Sequence, residues 1–287
     1  MSMFKFKKVA IFGVGLIGGS IGAGLKLRKM AQEVVGVGRR LESLKRAAAV
    51  GAIDSYTVDP GEGFAEADLI ILSAPVNAVL ELLKTGLPFL GSKHCLITDA
   101  CSTKAAVLKV AEDALSGNLS FVGGHPIAGS EQNGPESADA NLFENRVTVL
   151  TPTPRTDPSD LKTVQAFWEG LGSRVFLLSP DEHDRVLATT SHIPHLLAVL
   201  ATLTVKRLTV TNPEKFLGAG FRDVTRIAVG EPSIWQDVFL TNREYLLQNL
   251  AVLEKMLAEW KSALQAGDRE YVRKALDEAK QFQKSLP

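Results

Sequence analysis

The chain has 287 residues, 45% apolar and 22% charged, the make-up of a soluble globular protein with enough core for two domains of ordinary size. Lys plus Arg and Asp plus Glu are equal at 32 each, so no general basicity points to nucleic acid or to an anionic membrane as a partner. No stretch is read as approaching the roughly 18 apolar residues of a membrane span.

The start, MSMFKFKKVAIFGVG, is interrupted by glycines and lacks a cleavage site, so a strand is expected there and not a signal peptide. Short β-rich runs then alternate with helical stretches: KVAIFG, VVGVG, DLIILSAP, CLITDA and SFVGG, each followed or preceded by a helix. That rhythm predicts an α/β domain with a parallel sheet covered on both faces. Leu69 to Leu72 are apolar at consecutive positions, as in a central strand. TVLTP and RVFLLSP add two more strands around the helix DLKTVQAFWEGLG. From Asp181 the pattern turns helical throughout, starting with acidic residues and ending its first long helix with basic ones, which complements the helix dipole. The expected organisation is a Rossmann-like dinucleotide-binding domain, 1–180, followed by an all-α domain, 181–287. Cys95 and Cys101 lie close together without a scaffold pattern, so reduced thiols in a cytoplasm are expected.

Gly13-Val14-Gly15-Leu16-Ile17-Gly18 follows the first strand and opens a helix. In that context a GxGxxG is a dinucleotide fingerprint: the turn is tight, the backbone approaches a pyrophosphate, and the helix N-terminus offers free N–H groups. Ser73, Ala74 and Pro75, at the end of DLIILSAP, are counted with the same site. The end of the second strand usually carries an acid for a ribose hydroxyl. Here it carries Arg39 and Arg40, which suit a 2′-phosphate or else begin the next helix in solvent. NADP is therefore expected to be used at least as well as NAD.

Ser102 lies just beyond a strand, where it can cap the next helix and also face the ligand crevice. His125 is read as ending a later strand at the same edge, where a neutral imidazole can accept the proton of a substrate hydroxyl. In TTSHIPHLL, His192 and His195 share a helix face, and Pro194 between them should kink the helix. A metal pair is the rival reading of these histidines, without an HExxH or a cysteine ligand to support it. In GAGFRDVTRI, Arg222 and Arg226 are four apart beside Asp223, which makes either a salt-bridged surface turn or an anion clamp for a carboxylate.

The glycine turn, DACSTK, GGHPIAGSE, SHIPH and GFRDVTRIA, in this order and nearly spanning the chain, resemble the prephenate/arogenate dehydrogenase family of tyrosine biosynthesis. The resemblance implies oxidative decarboxylation of prephenate to 4-hydroxyphenylpyruvate and CO2, with hydride passing to NAD or NADP and no metal. It implies that His125 bonds the substrate hydroxyl, that Ser102 assists it, and that Arg226 holds a carboxylate. His195, Ser191 and Glu131 match positions that line the substrate site, with His192 beside them. Cys101 stands where a glycine is common. A homodimer built through the helical half is also implied, in keeping with the apolar stripes of YLLQNLAVLEKMLAEW. Neither a mutase module nor a regulatory domain is expected within this length. Arogenate is the alternative substrate. A 3-hydroxyacid dehydrogenase would carry a lysine in the kinked helix, where this chain has histidines, and a dinucleotide sensor without chemistry would have no use for His125, Ser102 and Arg226 together.

Overall fold

The computed structural model describes residues 6–86, 95–114, 119–129 and 133–286. The N-terminal half builds β1 (Phe6–Phe12), α1 (Leu16–Leu27), β2 (Ala31–Val37), α2 (Leu41–Ala49), β3 (Ser55–Thr57), α3 (Pro60–Phe64), β4 (Leu69–Leu72), α4 (Val76–Gly86), β5 (Cys95–Asp99), α5 (Ala105–Ala114) and β6 (Leu119–Ile127). Then come β7 (Val147–Thr151), α6 (Pro158–Gly170) and β8 (Arg174–Leu177). The eight strands form one sheet in the order β3-β2-β1-β4-β5-β6-β7-β8. The first six follow the 3-2-1-4-5-6 order of a Rossmann sheet, whose order reverses between β1 and β4.

Strand periodicity explains how the sheet is covered. Val9 and Ile11 of β1, with Leu69 and Ile71 of β4, enter the core on one face together with Phe143, Phe167 and Trp168. Ala10, Phe12, Ile70 and Leu72 enter the other with Phe64, Val79 and Leu83. Each large aliphatic side chain buried this way contributes about 1.5–3 kcal/mol. Trp168 meets Phe143 and Phe167 edge-on at centroid distances of 5.3 and 5.1 Å, which seals the face beneath β6 and β7.

Two features depart from the expected parallel sheet. β3 has only three residues and carries too little periodicity to be read from sequence. β7 runs antiparallel to β6, with His125 opposite Val149, a pairing that needs no crossover helix. His125 consequently lies inside a strand and does not end it. The parallel pairing with β5 stops at Thr98–Val122, so the stretch Gly123 to Ile127 projects past β5, paired only with β7. His125 still stands at the carboxyl edge of the parallel sheet, as the strand-end reading required.

Helices follow from residue 180: α7 (Pro180–Leu187), a π-turn (Ala188–His192), α8 (Ile193–Lys206), α9 (Ala219–Thr225), α10 (Pro232–Thr241), α11 (Arg243–Ala266) and α12 (Arg269–Ser285), with short 3₁₀ turns at Pro213–Phe216 and Arg226–Val229. A capping box opens α7, with Ser179 and Glu182 exchanging side-chain and backbone hydrogen bonds. Just before α8 the helix widens into the π-turn, closed by the Ile193 N–H donating to the Ala188 carbonyl, next to Pro194, which has no N–H to donate.

The absence of a span-length stretch needs one correction. The continuous helix Pro180–Lys206 is long and apolar enough to cross a membrane by length and composition, since its charges cluster in the first turns and leave Leu187 to Val205 uncharged apart from histidine. It nevertheless carries His183, Asp184, His192 and His195, all buried.

Packing divides the chain into two compact units, Met1–Asn242 and Arg243–Pro287. The change to helix at residue 180 falls inside the first unit, because α7 and α10 are bonded to helix N-termini at the sheet edge, as described below. In the second unit, Asp268 caps α12 by accepting from the Tyr271 amide (3.0 Å), and Trp260 packs edge-on to Tyr271 at 6.0 Å. Leu247, Val252, Leu257 and Leu264 of α11 are exposed.

Candidate active site

The switch between β1 and β4 brings two turns together. Gly13 has φ of +94°, and a Cβ there would lie 2.5 Å from the Ser73 carbonyl oxygen, so only glycine lets the first turn close against Ser73-Ala74. A Cβ on Gly18 would stand 2.1 Å from the Gly13 carbonyl, which fixes how α1 enters. At Gly15 a Cβ would meet nothing within 4 Å among the described residues, which leave this side of the turn open. Gly15 is the N-cap of α1, which has no side-chain cap and no acid in its first turn. Leu16 and Ile17 begin the helix. An open glycine face backed by unsatisfied N–H groups fits a dinucleotide pyrophosphate. The Gly13 amide donates to Val37 (2.9 Å), tying the turn to the end of β2, where Arg39 and Arg40 are exposed. Arg40 is also the N-cap of α2. Among the described residues, neither guanidinium forms an ion pair.

Ser102 does not cap the next helix, contrary to expectation. α5 begins three residues later, and its N-terminus is held by Asp184 of α7, which accepts from the amides of Lys104 (2.7 Å) and Ala105 (2.9 Å). Ser102 is half-buried, and among the described residues its hydroxyl has no hydrogen bond, which leaves it for a ligand. Next to it the Thr103 and Thr241 hydroxyls meet at 2.9 Å. The α4 N-terminus is held similarly by Asp237 of α10, which accepts from the Asn77 amide (3.1 Å) and side chain. The fully buried Lys104 bonds the Asp99 carboxylate and the Gly124 carbonyl (2.7 Å). Asp99 in turn accepts from the Gly124 amide (2.9 Å) and the Cys101 amide (3.1 Å). Cys101 packs into the core as a buried free thiol, and burial raises its pKa well above the usual thiol range.

This network holds the backbone that carries His125. The His125 ring is buried, and its Nδ1 lies 2.8 Å from Nε2 of His183. Nδ1 of His183 lies 2.8 Å from Asp184 Oδ1. Burial, followed by electrostatic coupling to His183, to the Lys104 ammonium and to His192, holds the His125 pKa well below the ordinary imidazole value. The imidazole is therefore neutral, the state a proton acceptor needs.

The helices bring up a second cluster. His192 is buried; its Nδ1 lies 3.2 Å from the Asn242 amide nitrogen, which also donates to the Asp184 carbonyl (2.8 Å). Burial lowers the His192 pKa to about 4. His195 stacks on Trp235 with centroids 3.5 Å apart and planes 13° from parallel. Among the described residues its buried Nδ1 has no hydrogen-bond partner, a demand that a bound polar group would meet. Gly230 closes this side, since a Cβ there would stand 2.4 Å from Trp235 Nε1 and 3.1 Å from the His195 ring. The preceding turn carries Arg226, exposed, while Arg222 donates to the Leu217 carbonyl (3.4 Å). Ser191 is half-buried in the π-turn. Glu131 lies outside the described residues. Among the described residues, no group of three His, Cys, Asp or Glu side chains is disposed to hold a metal ion.

His183, Asp184, Lys104, Asn242 and Trp235 were not singled out in the sequence. For His183 a signal existed: 183, 187, 191 and 195 are spaced along one helix face. The acids around it complement the helix dipole, and that function masked it.

A Rossmann sheet with an open glycine turn at its switch point, and a buried neutral histidine at the same edge, defines a dinucleotide-dependent oxidoreductase. Comparison with known proteins specifies the class further. The family profile "Prephenate dehydrogenase, nucleotide-binding domain" matches residues 21–177, and "Prephenate dehydrogenase, dimerization domain" matches residues 179–278. The chain belongs to the prephenate dehydrogenase family. It is 36% identical over 283 residues to the prephenate dehydrogenase of Lactococcus lactis subsp. cremoris, covering 98% of this chain and 77% of that one. It is 34% identical over 287 residues to the cyclohexadienyl dehydrogenase of Zymomonas mobilis, covering 99% and 96%. The crystal structure of prephenate dehydrogenase from A. aeolicus in complex with hydroxyphenyl propionate and NAD+ superposes with a TM-score of 0.91 at 33% identity, covering 98% of each chain.

Proposed function

We propose that this protein converts prephenate to 4-hydroxyphenylpyruvate and CO2 in tyrosine biosynthesis, with hydride transfer to a nicotinamide dinucleotide. The observation that carries this reading is His125: neutral, buried, tied through Nδ1 to His183, and set on the carboxyl edge of the sheet. When bound, the oxidised nicotinamide supplies the hydride acceptor. His125 Nε2 takes the proton of the C4 hydroxyl as the C4–H pair leaves as hydride. The bond to the ring carboxylate then breaks, its electron pair enters the ring as CO2 departs, and the proton returns to the new phenol oxygen. Ser102 supports the hydroxyl contact, Arg226 holds a carboxylate, and His195, Ser191, His192 and Glu131 line the substrate site. Gly13, Gly15, Leu16, Ile17, Gly18, Ser73, Ala74 and Pro75 hold the dinucleotide.

Arg39 and Arg40 direct the cofactor choice toward NADP or dual use. Residues 1–180 serve the cofactor, and 181–287 shape the substrate site and form a homodimer. Two buried free thiols suit a cytoplasmic setting. The near full-length match to a cyclohexadienyl dehydrogenase favours a second reading, in which arogenate is also oxidised. Appearance of the reduced-cofactor absorbance with prephenate or arogenate, each offered with NAD and NADP, tests all of this. No reduction with either substrate would overturn the reading.

A further inference from the structure

We propose that His183 and Asp184 are positioning residues for the reaction: together they set which nitrogen of His125 carries the proton, and so keep Nε2 free to accept one from the substrate. The inference rests on the reading of His125 as proton acceptor and adds to it the chain of hydrogen bonds behind that ring.

The direction of the chain can be worked out from its far end. Asp184 receives the backbone N–H groups of Lys104 (2.7 Å) and Ala105 (2.9 Å). Backbone amides only donate, so the carboxylate presents accepting oxygens. Its contact with His183 Nδ1 at 2.8 Å therefore requires the proton on that nitrogen. Burial is the first cause of a lowered pKa at His183, so the ring is neutral and its Nε2 is a bare acceptor. That acceptor lies 2.8 Å from His125 Nδ1, which must then carry the proton of the second neutral ring. One nitrogen of His125 remains without a proton, and it is Nε2. The order Asp184, His183, His125 thus specifies a tautomer, as a carboxylate does for the histidine of a Ser-His-Asp triad. When His125 takes the substrate proton, the new cation donates through Nδ1 to His183, with the Asp184 carboxylate behind it.

The arrangement is rigid. Both His183 and Asp184 are buried, Asp184 is fixed to α5 at both oxygens, and Asn242 holds the Asp184 carbonyl (2.8 Å). Without the acceptor at His183, His125 is free to adopt the other tautomer, whose protonated Nε2 would repel a hydroxyl proton.

The test uses the full chain with 15N-labelled histidine and two variants. His183→Leu removes the acceptor; His183→Gln restores one through its amide oxygen and can still donate toward Asp184. In the parent, the imidazole nitrogen shifts should report Nδ1–H and a bare Nε2 at His125. His183→Leu should lose that single tautomer and lower kcat about ten- to a hundredfold, the scale on which outer-shell partners act on histidine ligands. Its substrate KM and its dinucleotide Kd should stay within about threefold of the parent. His183→Gln should recover most of kcat. An Nε2–H tautomer at His125 in the parent, or an undiminished kcat in His183→Leu, would overturn the proposal. His125→Asn separates the two levels. Turnover retained in that variant overturns the acceptor reading and the relay with it. Turnover lost there but kept in His183→Leu overturns the relay alone.

Discussion

Lys104→Met is the perturbation whose size follows most directly from the structure. The Lys104 side chain is fully buried and is bonded to the Asp99 carboxylate and the Gly124 carbonyl. Methionine keeps the length of the chain and removes the charge. Asp99 would keep two backbone donors, from Gly124 (2.9 Å) and Cys101 (3.1 Å), and would lose its counter-charge in the sheet interior. Removing one partner of a buried pair costs about 3–5 kcal/mol, a large part of a total stability of about 5–15 kcal/mol. With a urea m-value of about 2–3 kcal/mol per molar, the midpoint should fall by about 1–2.5 M. Far-UV dichroism through a urea titration at fixed protein concentration measures it, concentration being held because association adds to apparent stability. Adding Asp99→Asn should recover part of the loss, since the amide oxygen still accepts one backbone N–H and no charge is stranded. The Gly124 carbonyl precedes His125, so folded Lys104→Met should also turn over more slowly. A midpoint within about 0.3 M of the parent, or a double variant no better than the single, would refute the reasoning.

For acid dependence, His125 must be neutral to accept a proton, and its pKa is held well below the ordinary 6.5. Protonation on acidification removes the acceptor, so the acid limb of kcat/KM should lie below 6.5; a limb at or above that value would contradict the burial argument. Arg226→Ala should remove a charge-assisted contact of about 1.5–3 kcal/mol, read as a raised substrate KM with cofactor KM unchanged. Arg222→Ala should be milder, and equal effects would undo the distinction between them. Arg39→Ala should narrow or reverse a preference for NADP over NAD, by roughly ten- to a hundredfold for one lost phosphate contact. Exclusive use of NAD by the parent would mean that both arginines serve only solvent. Sedimentation at micromolar concentration should give twice the 30.9 kDa chain mass; a monomer mass would exclude the dimer.

The sheet is legible where residues are packed from both sides, as at Leu69 to Leu72, and where glycine punctuates a turn, as at Gly13 to Gly18. Both are local signals, written in consecutive residues. β3 is too short to carry periodicity, and the reversal at β7 depends on where a loop returns, which composition does not encode. His125, His192 and His195 stand out in the sequence because histidine is scarce in apolar surroundings, and all three are buried in the fold. The capping role of Ser102 was misread for a tertiary reason: Asp184, some 80 residues along the chain, reaches the same N–H groups first. His183 was overlooked because its meaning lies in a partner 58 residues away. What the sequence hides, then, is mostly pairing between distant segments.

Those pairings also bear on how the dinucleotide finds its place. α1, α4 and α5 all begin at the carboxyl edge of the sheet, and each N-terminus offers unsatisfied donors and a positive dipole end. At α4 the donors are taken by Asp237 and at α5 by Asp184. A pyrophosphate approaching either would meet a carboxylate already seated there. At α1, among the described residues, no side chain caps the helix, and no acid lies in its first turn, which leaves its amides to an anion. The same two carboxylates bond α7 and α10 to the sheet edge, and with them His183 and Trp235. One set of charges therefore both occupies the α4 and α5 helix ends and brings the helical residues to the carboxyl edge of the sheet, where His125 stands.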